Sequence, residues 1–298
     1  MKALSHLIVR NIKMFFRDKG MFFTSLITPA ILLVLYSTFL GNVYEDTFVS
    51  MMQGVSIPDK LLRGLTGGQL VSSILSVSCV TVAFCSNFLM VQDKTNGSID
   101  DLRVTPVSTS VLSLGYYIAS FLSTLIICLF ASAICFAYLG VVGWYLAPLD
   151  AVMFFVDVLL LVMLGTAVSS VVNFFLSTQG QISAVGAIVS SCYGFVCGAY
   201  MPLSQLSDWL RNSAAFLPGT YGTSLLRTHA MSGAIAELGT IGVPEEVLDA
   251  IKQTVDCELR FFDIDVSYVF KYAVLGAAVV IFMAVYVAMN IFRKGRRS

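Results

Sequence analysis

Long stretches without a charge leave this chain few ways to fold. No charge lies between Lys19 and Glu45, between Arg63 and Asp93, or between Lys271 and Arg293. Between Arg103 and Asp208 the only charges are Asp150 and Asp157. A helix needs about 20 apolar residues to cross a bilayer, and each of these windows is wide enough. A soluble domain carries about a quarter charged residues; this chain of 298 residues carries 12%, with a mean hydropathy of +0.84. The sequence therefore predicts an all-α integral membrane protein, a single domain over 1–298. Its spans are expected at 21–41, 69–91, 111–138, 151–175, 181–200 and 267–292. The polar break Ser177-Thr178-Gln179-Gly180-Gln181 separates the fourth from the fifth. Pro29 is tolerated in the first because neighbouring helices can satisfy the freed carbonyl.

Net charge is zero, so no global field points toward nucleic acid. Cys79, Cys85, Cys128, Cys135, Cys192 and Cys197 lie in apolar runs and read as packing residues. Cys257 stands alone in a loop, and neither a zinc spacing nor a disulfide framework is present. The first apolar run is too long for a cleavable signal, and no A-x-A-like site follows it. Lys2, Arg10, Lys13, Arg17 and Lys19 precede the first span, and Arg293, Lys294, Arg296 and Arg297 follow the last. The excess of basic residues on cytoplasmic segments thus predicts a multi-pass protein of the cell membrane with both termini in the cytoplasm. Acids gather at 201–266, which places that loop outside, together with 42–68.

Before the first span, Lys2, His6, Arg10, Lys13 and Arg17 form one helical stripe, and Leu4, Leu7, Ile8, Ile12 and Phe15 the other. That is a basic amphipathic helix lying in the membrane interface among the lipids. Two polar stretches then stand out. The cytoplasmic Asp93–Ser108 segment predicts a brief surface helix ended by Pro106. Asp100, Asp101 and Arg103 would be exposed, with Ile99, Leu102 and Val104 available to enter a partner's groove. A solvated turn is the plainer reading. The second stretch runs from Gly194 to Arg227, with Pro202 and Pro218 bracketing a piece too short to cross. Tyr200, Trp209 and Tyr221 suit the headgroup level, so two short re-entrant helices are expected near the outer surface, under protein cover.

At these residues the chain resembles the membrane subunits of type-2 ATP-binding-cassette exporters. Asp93 to Ser108 is similar to that family's acidic–glycine–threonine–leucine–glutamate stretch with its Thr-Pro turn. Ser98, Ile99 and Asp100 stand for the threonine, leucine and glutamate. Gly198-Ala-Tyr-Met-Pro202 is similar to the family's Gly-x-x-x-Pro, and Trp209, Leu217-Pro218, Tyr221 and Leu226-Arg227 follow in order. The resemblance implies a permease paired with a second, identical or paralogous permease subunit and seated on cytosolic ABC ATPases. Those ATPases, and not this chain, would hold ATP and magnesium. It also implies a coupling helix built from Asp93, Gly97, Ser98, Asp100, Leu102, Arg103, Thr105 and Pro106, assisted by Arg10, Lys13 and Arg17 of the interfacial helix. An outer gate would involve Gly198, Pro202, Trp209, Pro218, Tyr221 and Arg227.

The chain has no G-x-x-x-x-G-K-[ST] phosphate loop, and Leu65-Thr66-Gly67-Gly68-Gln69 matches the ATPase signature by chance. Asp157, inside the fourth span with Asp150 seven residues earlier, is a candidate by position. It would be the coupling group of the rival reading, an ion-gradient-driven carrier, or it would reach water or an extracellular partner. Asn87, Asn173 and Asn290 are expected to bond between helices, and Tyr116 and Tyr117 to pack or face lipid. His6 and His229 fall on opposite sides, so no catalytic triad can be assembled and no enzyme is expected. The loop at 233–263, with a surface helix beginning at Pro244, reads as a solvated cover.

Overall fold

The structure, a computed structural model, describes residues 2–52, 57–105, 107–262 and 264–295; the side chains at 37, 103 and 292–295 are not described. Pro106 of the expected coupling segment therefore lies outside the described residues, as does the Arg103 side chain. The chain runs α1 (Lys2–Arg17), α2 (Lys19–Leu35), a π-turn (Tyr36–Leu40), α3 (Gly41–Met51), α4 (Asp59–Thr95), α5 (Ser98–Arg103) and α6 (Thr109–Val142). It continues through α7 (Pro148–Phe175), α8 (Gln179–Val196), a 3₁₀ turn (Leu203–Gln205), α9 (Asp208–Ala214), α10 (Pro218–Thr240) and α11 (Glu245–Thr254). A two-stranded antiparallel hairpin, β1 (Arg260–Phe261) and β2 (Ile264–Asp265), precedes α12 (Tyr268–Gly295).

Among the described residues, five helical segments are long and apolar enough to cross a membrane: Lys19–Met51, α4, α6, α7 and α12. The expected span at 181–200 is helical as α8, which has 18 residues and ends at Val196. Local sequence sets the boundaries. Asp18 adopts an extended conformation and accepts the Met21 N–H, which ends α1 and starts α2. The turn expected at 177–181 is a capping box in which Thr178 and Gln181 satisfy each other's backbone. One expectation needs correcting: the second re-entrant helix is not short. Pro218 starts α10, but no breaker stops it, and it runs 23 residues into the bundle.

Helix α4 is the axis of the fold, buried on all sides from Gly64 to Val91. Its polar side chains explain why. In hydrocarbon they need partners on neighbouring helices, and they find them on several. Ser73 bonds Tyr36 of the π-turn at 3.2 Å, Ser86 bonds Ser120 of α6 at 2.6 Å, and Asn87 reaches Ser169 and Ser170 of α7 at 3.1 and 2.8 Å. Ser76 pairs with Thr223 of α10. Ser113 of α6 likewise donates to Asn290 of α12 at 2.6 Å. Asn173 departs from its expected role, since its buried amide has no hydrogen-bond partner among the described residues.

The Leu65–Gln69 stretch is packing. A Cβ on Gly68 would stand 2.8 Å from the Ala230 carbonyl, so α10 lies against bare backbone there. Gly165 does the same for α7, where a Cβ would meet the Cys79 carbonyl at 2.8 Å and Val80 Cα at 3.0 Å. Neither obstacle is a movable side chain. Gly165→Val should therefore force α7 off α4 and cost about 1–3 kcal/mol. A melting curve of the purified chain checks this, and an unchanged midpoint would contradict the close approach.

Candidate functional site

The C-terminal end of α4 gathers four helices. Asp93, with a side chain only 4% exposed, accepts from Arg10 of α1 at 2.9 Å and from the Tyr116 hydroxyl of α6. The next residue, Lys94, donates to the carbonyls of Asn173, Phe174 and Leu176 at 3.0, 3.1 and 3.2 Å. A cation there satisfies the orphan carbonyls at the end of α7 and complements its dipole. Two adjacent charges thus tie α4 to α1 and α6 on one side and to α7 on the other.

From this anchor the chain turns sharply into α5. Gly97 sits at φ +77°, a left-handed conformation that glycine adopts freely, and supplies the turn before Ser98. Asp100 and Asp101 occupy the first turn of α5 and are exposed. Thr105, also exposed, closes the far end through a 2.5 Å bond to the Leu102 carbonyl. The apolar side of α5 differs from expectation. Ile99 is 6% exposed and packs with Leu7 of α1, Leu112 and Tyr116 of α6 and Met90 of α4, and Leu102 leans on the same cluster. These two hold α5 to its own bundle, whereas Val104 is 87% exposed. Lys13 and Arg17 are exposed on α1.

The opposite end of the bundle is organised around Arg227, which is completely buried on α10. Its Nη1 donates to Asp256 Oδ2 and to the Val255 carbonyl, each at 3.1 Å. Its Nη2 donates to the Gly198 carbonyl and to Ser73 of α4. Asp256, at φ +56°, also accepts the Leu203 and Ser204 N–H groups at 2.5 and 3.1 Å. Burial pushes its carboxyl up from the ordinary range, against the downward pull of Arg227 and those two N–H groups. Beside it, burial pushes the Cys257 thiol up to about 12. Lys271 of α12 closes the group with bonds to Ser224 at 3.0 Å and the Cys257 carbonyl at 2.5 Å.

Gly198, Pro202, Tyr221 and Arg227 are therefore brought together, and their surroundings are those of a clamp. Gly198, at φ +72°, turns the end of α8 toward Arg227; Pro202 precedes the 3₁₀ turn that Asp256 holds. Tyr221 donates to the Ala215 carbonyl at 2.7 Å, fixing α9 over the start of α10, where Pro218 sits in the first turn. Trp209 is not part of the group: it stands 74% exposed on α9. Asp256 and Lys271 are the partners that sequence reasoning missed.

Between the two ends, Asp157 is fully buried. It does not reach water; His229 Nδ1 of α10 lies 2.5 Å from one oxygen, and Tyr272 of α12 donates to the other at 2.6 Å. Finally, an apolar cleft of about 1220 Å³ opens along the flank between α2 and α8, with Cys85 and Phe88 of α4 as its floor. Among the described residues no cluster of His, Cys, Asp and Glu is suited to a metal ion.

The sequence model of a known family, described as ABC-2 type transporter, matches residues 2–230 of the chain. The chain belongs to that family. The match takes in the α1–α4–α5 junction, the cleft and Arg227, and leaves α11, the hairpin and α12 beyond it. No curated protein matches the chain. The resemblance read from the loop and proline motifs thus holds, and the molecule is the membrane-embedded permease of an ABC transporter. Family membership also sets aside the gradient-driven carrier.

Proposed function

We propose that this permease is an exporter subunit that moves its cargo outward with ATP hydrolysed, with magnesium, on a separate cytosolic ABC ATPase. The whole chain acts as one transmembrane domain. The observation that carries this reading is the α4–α5 junction. A short helix with acids in its first turn and one bare valine projects from a corner where Asp93 and Lys94 are bonded into the bundle. A push on α5 reaches α1 and α6 through Asp93 and α7 through Lys94, without a loose joint between them. Basic residues before α2 and after α12 support an arrangement with both termini in the cytoplasm. With α8 counted as a span, six helices cross.

A second permease subunit would close the cleft. Helix α8 turns Ser183, Ala184, Ala187, Ser191 and Cys192 outward around the larger Ile188. Small and hydroxylic side chains at that depth suit a close helix–helix approach better than lipid. Lys13 and Arg17 on α1 face lipid headgroups or the ATPase. The Gly198–Arg227 clamp, with α9 above it, forms the outer gate. Purification of the tagged chain in mild detergent tests the assembly. A stoichiometric soluble protein with a phosphate-binding loop is expected; a chain that transports while purifying alone would contradict the reading.

A further inference from the structure

The Asp157 group takes no part in coupling α5 to the bundle, in closing the cleft or in the Arg227 clamp. It is a chain of four side chains from three helices. Tyr272 donates to Asp157 Oδ1 at 2.6 Å, His229 Nδ1 faces Asp157 Oδ2 at 2.5 Å, and His229 Nε2 bonds the Tyr268 hydroxyl. Asp157 and His229 are 0% and 4% exposed, whereas Tyr268, the first residue of α12, is 41% exposed. The more exposed end of this chain is therefore the phenol that bonds Nε2, while Tyr272 at the other end is half-buried.

That arrangement has a definite chemistry. With Nδ1–H donating to the carboxylate, Nε2 is the atom whose protonation changes. A hydroxyl is both donor and acceptor. Tyr268 can donate to a bare Nε2 or accept from Nε2–H, so the hydrogen-bond chain is complete in both states. When the proton is taken up, the phenol O–H bond gives way to the new N–H bond, and the phenol oxygen regains a proton from water. Without that proton the buried pair carries a net negative charge. Uptake makes it a neutral ion pair of carboxylate and imidazolium, far less costly to keep out of water. The other titratable groups facing the pair are Asp150 of α7, bonded to Ser232 at 2.6 Å, and Lys271 and Tyr272 of α12. Lys271 offsets part of the negative charge from a distance but spends its own hydrogen bonds on Ser224 and Cys257.

We propose that His229 is a proton-binding site entered through Tyr268, and that proton binding tightens the packing of α10 between α7 and α12. The linkage fixes the sign. A proton held better by the packed helices than by parted ones makes the packed state more stable as pH falls. Histidine is the side chain whose charge changes between about pH 5 and 8, so this is the window in which the effect is read. On the orientation proposed above, Tyr268 faces the outer solution, and the site slows opening of the outer half when that solution is acidic.

The chain holds only two histidines, His6 and His229. Nitrogen-15 imidazole spectra of the full-length His6→Gln chain in nanodiscs therefore report on His229 alone. Between pH 8 and pH 5 its Nε2 resonance should pass from the bare to the protonated position. Adding Tyr268→Phe should slow exchange of that proton with water at least tenfold. Melting temperature should rise as pH falls in His6→Gln and stay flat once His229→Gln is added. A His229 resonance that holds one position across the whole window would overturn the proposal, and that observation needs His6→Gln alone. So would an equal pH slope with and without His229. Neither readout uses ATP, cargo or a partner. A failure here leaves the exporter reading standing, and a failed co-purification leaves this one.

Discussion

Arg227→Met should be the most damaging single change in the molecule. The substitution keeps volume but leaves Asp256 buried beside two N–H groups without its directly paired cation, and it strips a donor from the Gly198 carbonyl. Breaking one side of a buried pair costs about 3–5 kcal/mol, a large share of the roughly 5–15 kcal/mol by which proteins are stable. The expected result is a chain recovered in poor yield with a sharply lowered melting temperature. Adding Asp256→Asn removes the stranded charge, and its amide oxygen can still accept one of the two N–H groups, so part of the loss should be restored. A double-mutant cycle measures this, and costs that simply add would show that the two residues do not act as a clamp.

Val104→Asp has the opposite profile. The side chain is 87% exposed and packs on nothing in its own chain, so yield and melting temperature should not change. Placing a charge at the centre of an apolar contact costs about 2 kcal/mol or more at an interface, beyond tenfold in affinity. Co-purification of the ATPase and ATP-driven transport should fall by at least that factor. Leu102→Asp is the weaker experiment, because Leu102 also leans on Leu7 and Ile99 and its loss would loosen α5 itself. Full transport in Val104→Asp would remove α5 from the docking surface.

Much of this architecture is legible in the sequence, for identifiable reasons. Uncharged windows report spans because hydrocarbon tolerates little else, and the Thr178–Gln181 box and Asp18 announce helix starts in their own side chains. The docking corner is legible in part. Asp93 and Arg10 both stand out, but their 2.9 Å contact joins residues 83 apart, and no local pattern encodes it. Ile99 points to a partner in the sequence because helical spacing shows a face without showing what covers it. The same limit hides Asp256, one acid among many in its loop until Arg227 selects it. It also hides His229, separated from Asp157 by 72 residues. The length of α10 escapes a sequence reading because Pro218 marks a start and nothing marks an early stop. Hydropathy likewise finds α4 but cannot place it at the centre. Its serines and asparagine carry that information, once each is asked for a partner.

On the proposed arrangement the α5 end of the bundle, and not the other, receives the ATPase. Val104 and Val141 make the matched pair for testing it, at 87% and 86% exposed. Val104 lies just before α6 and Val141 in its last turn; the helix has 34 residues and is hence about 50 Å long, so the two lie at opposite ends of the molecule. A photo-reactive residue placed at each position, one at a time, should yield an adduct with the co-purified ATPase from position 104 and none from position 141. An adduct from 141, or none from 104 in a complex that still hydrolyses ATP, would place the ATPase away from α5.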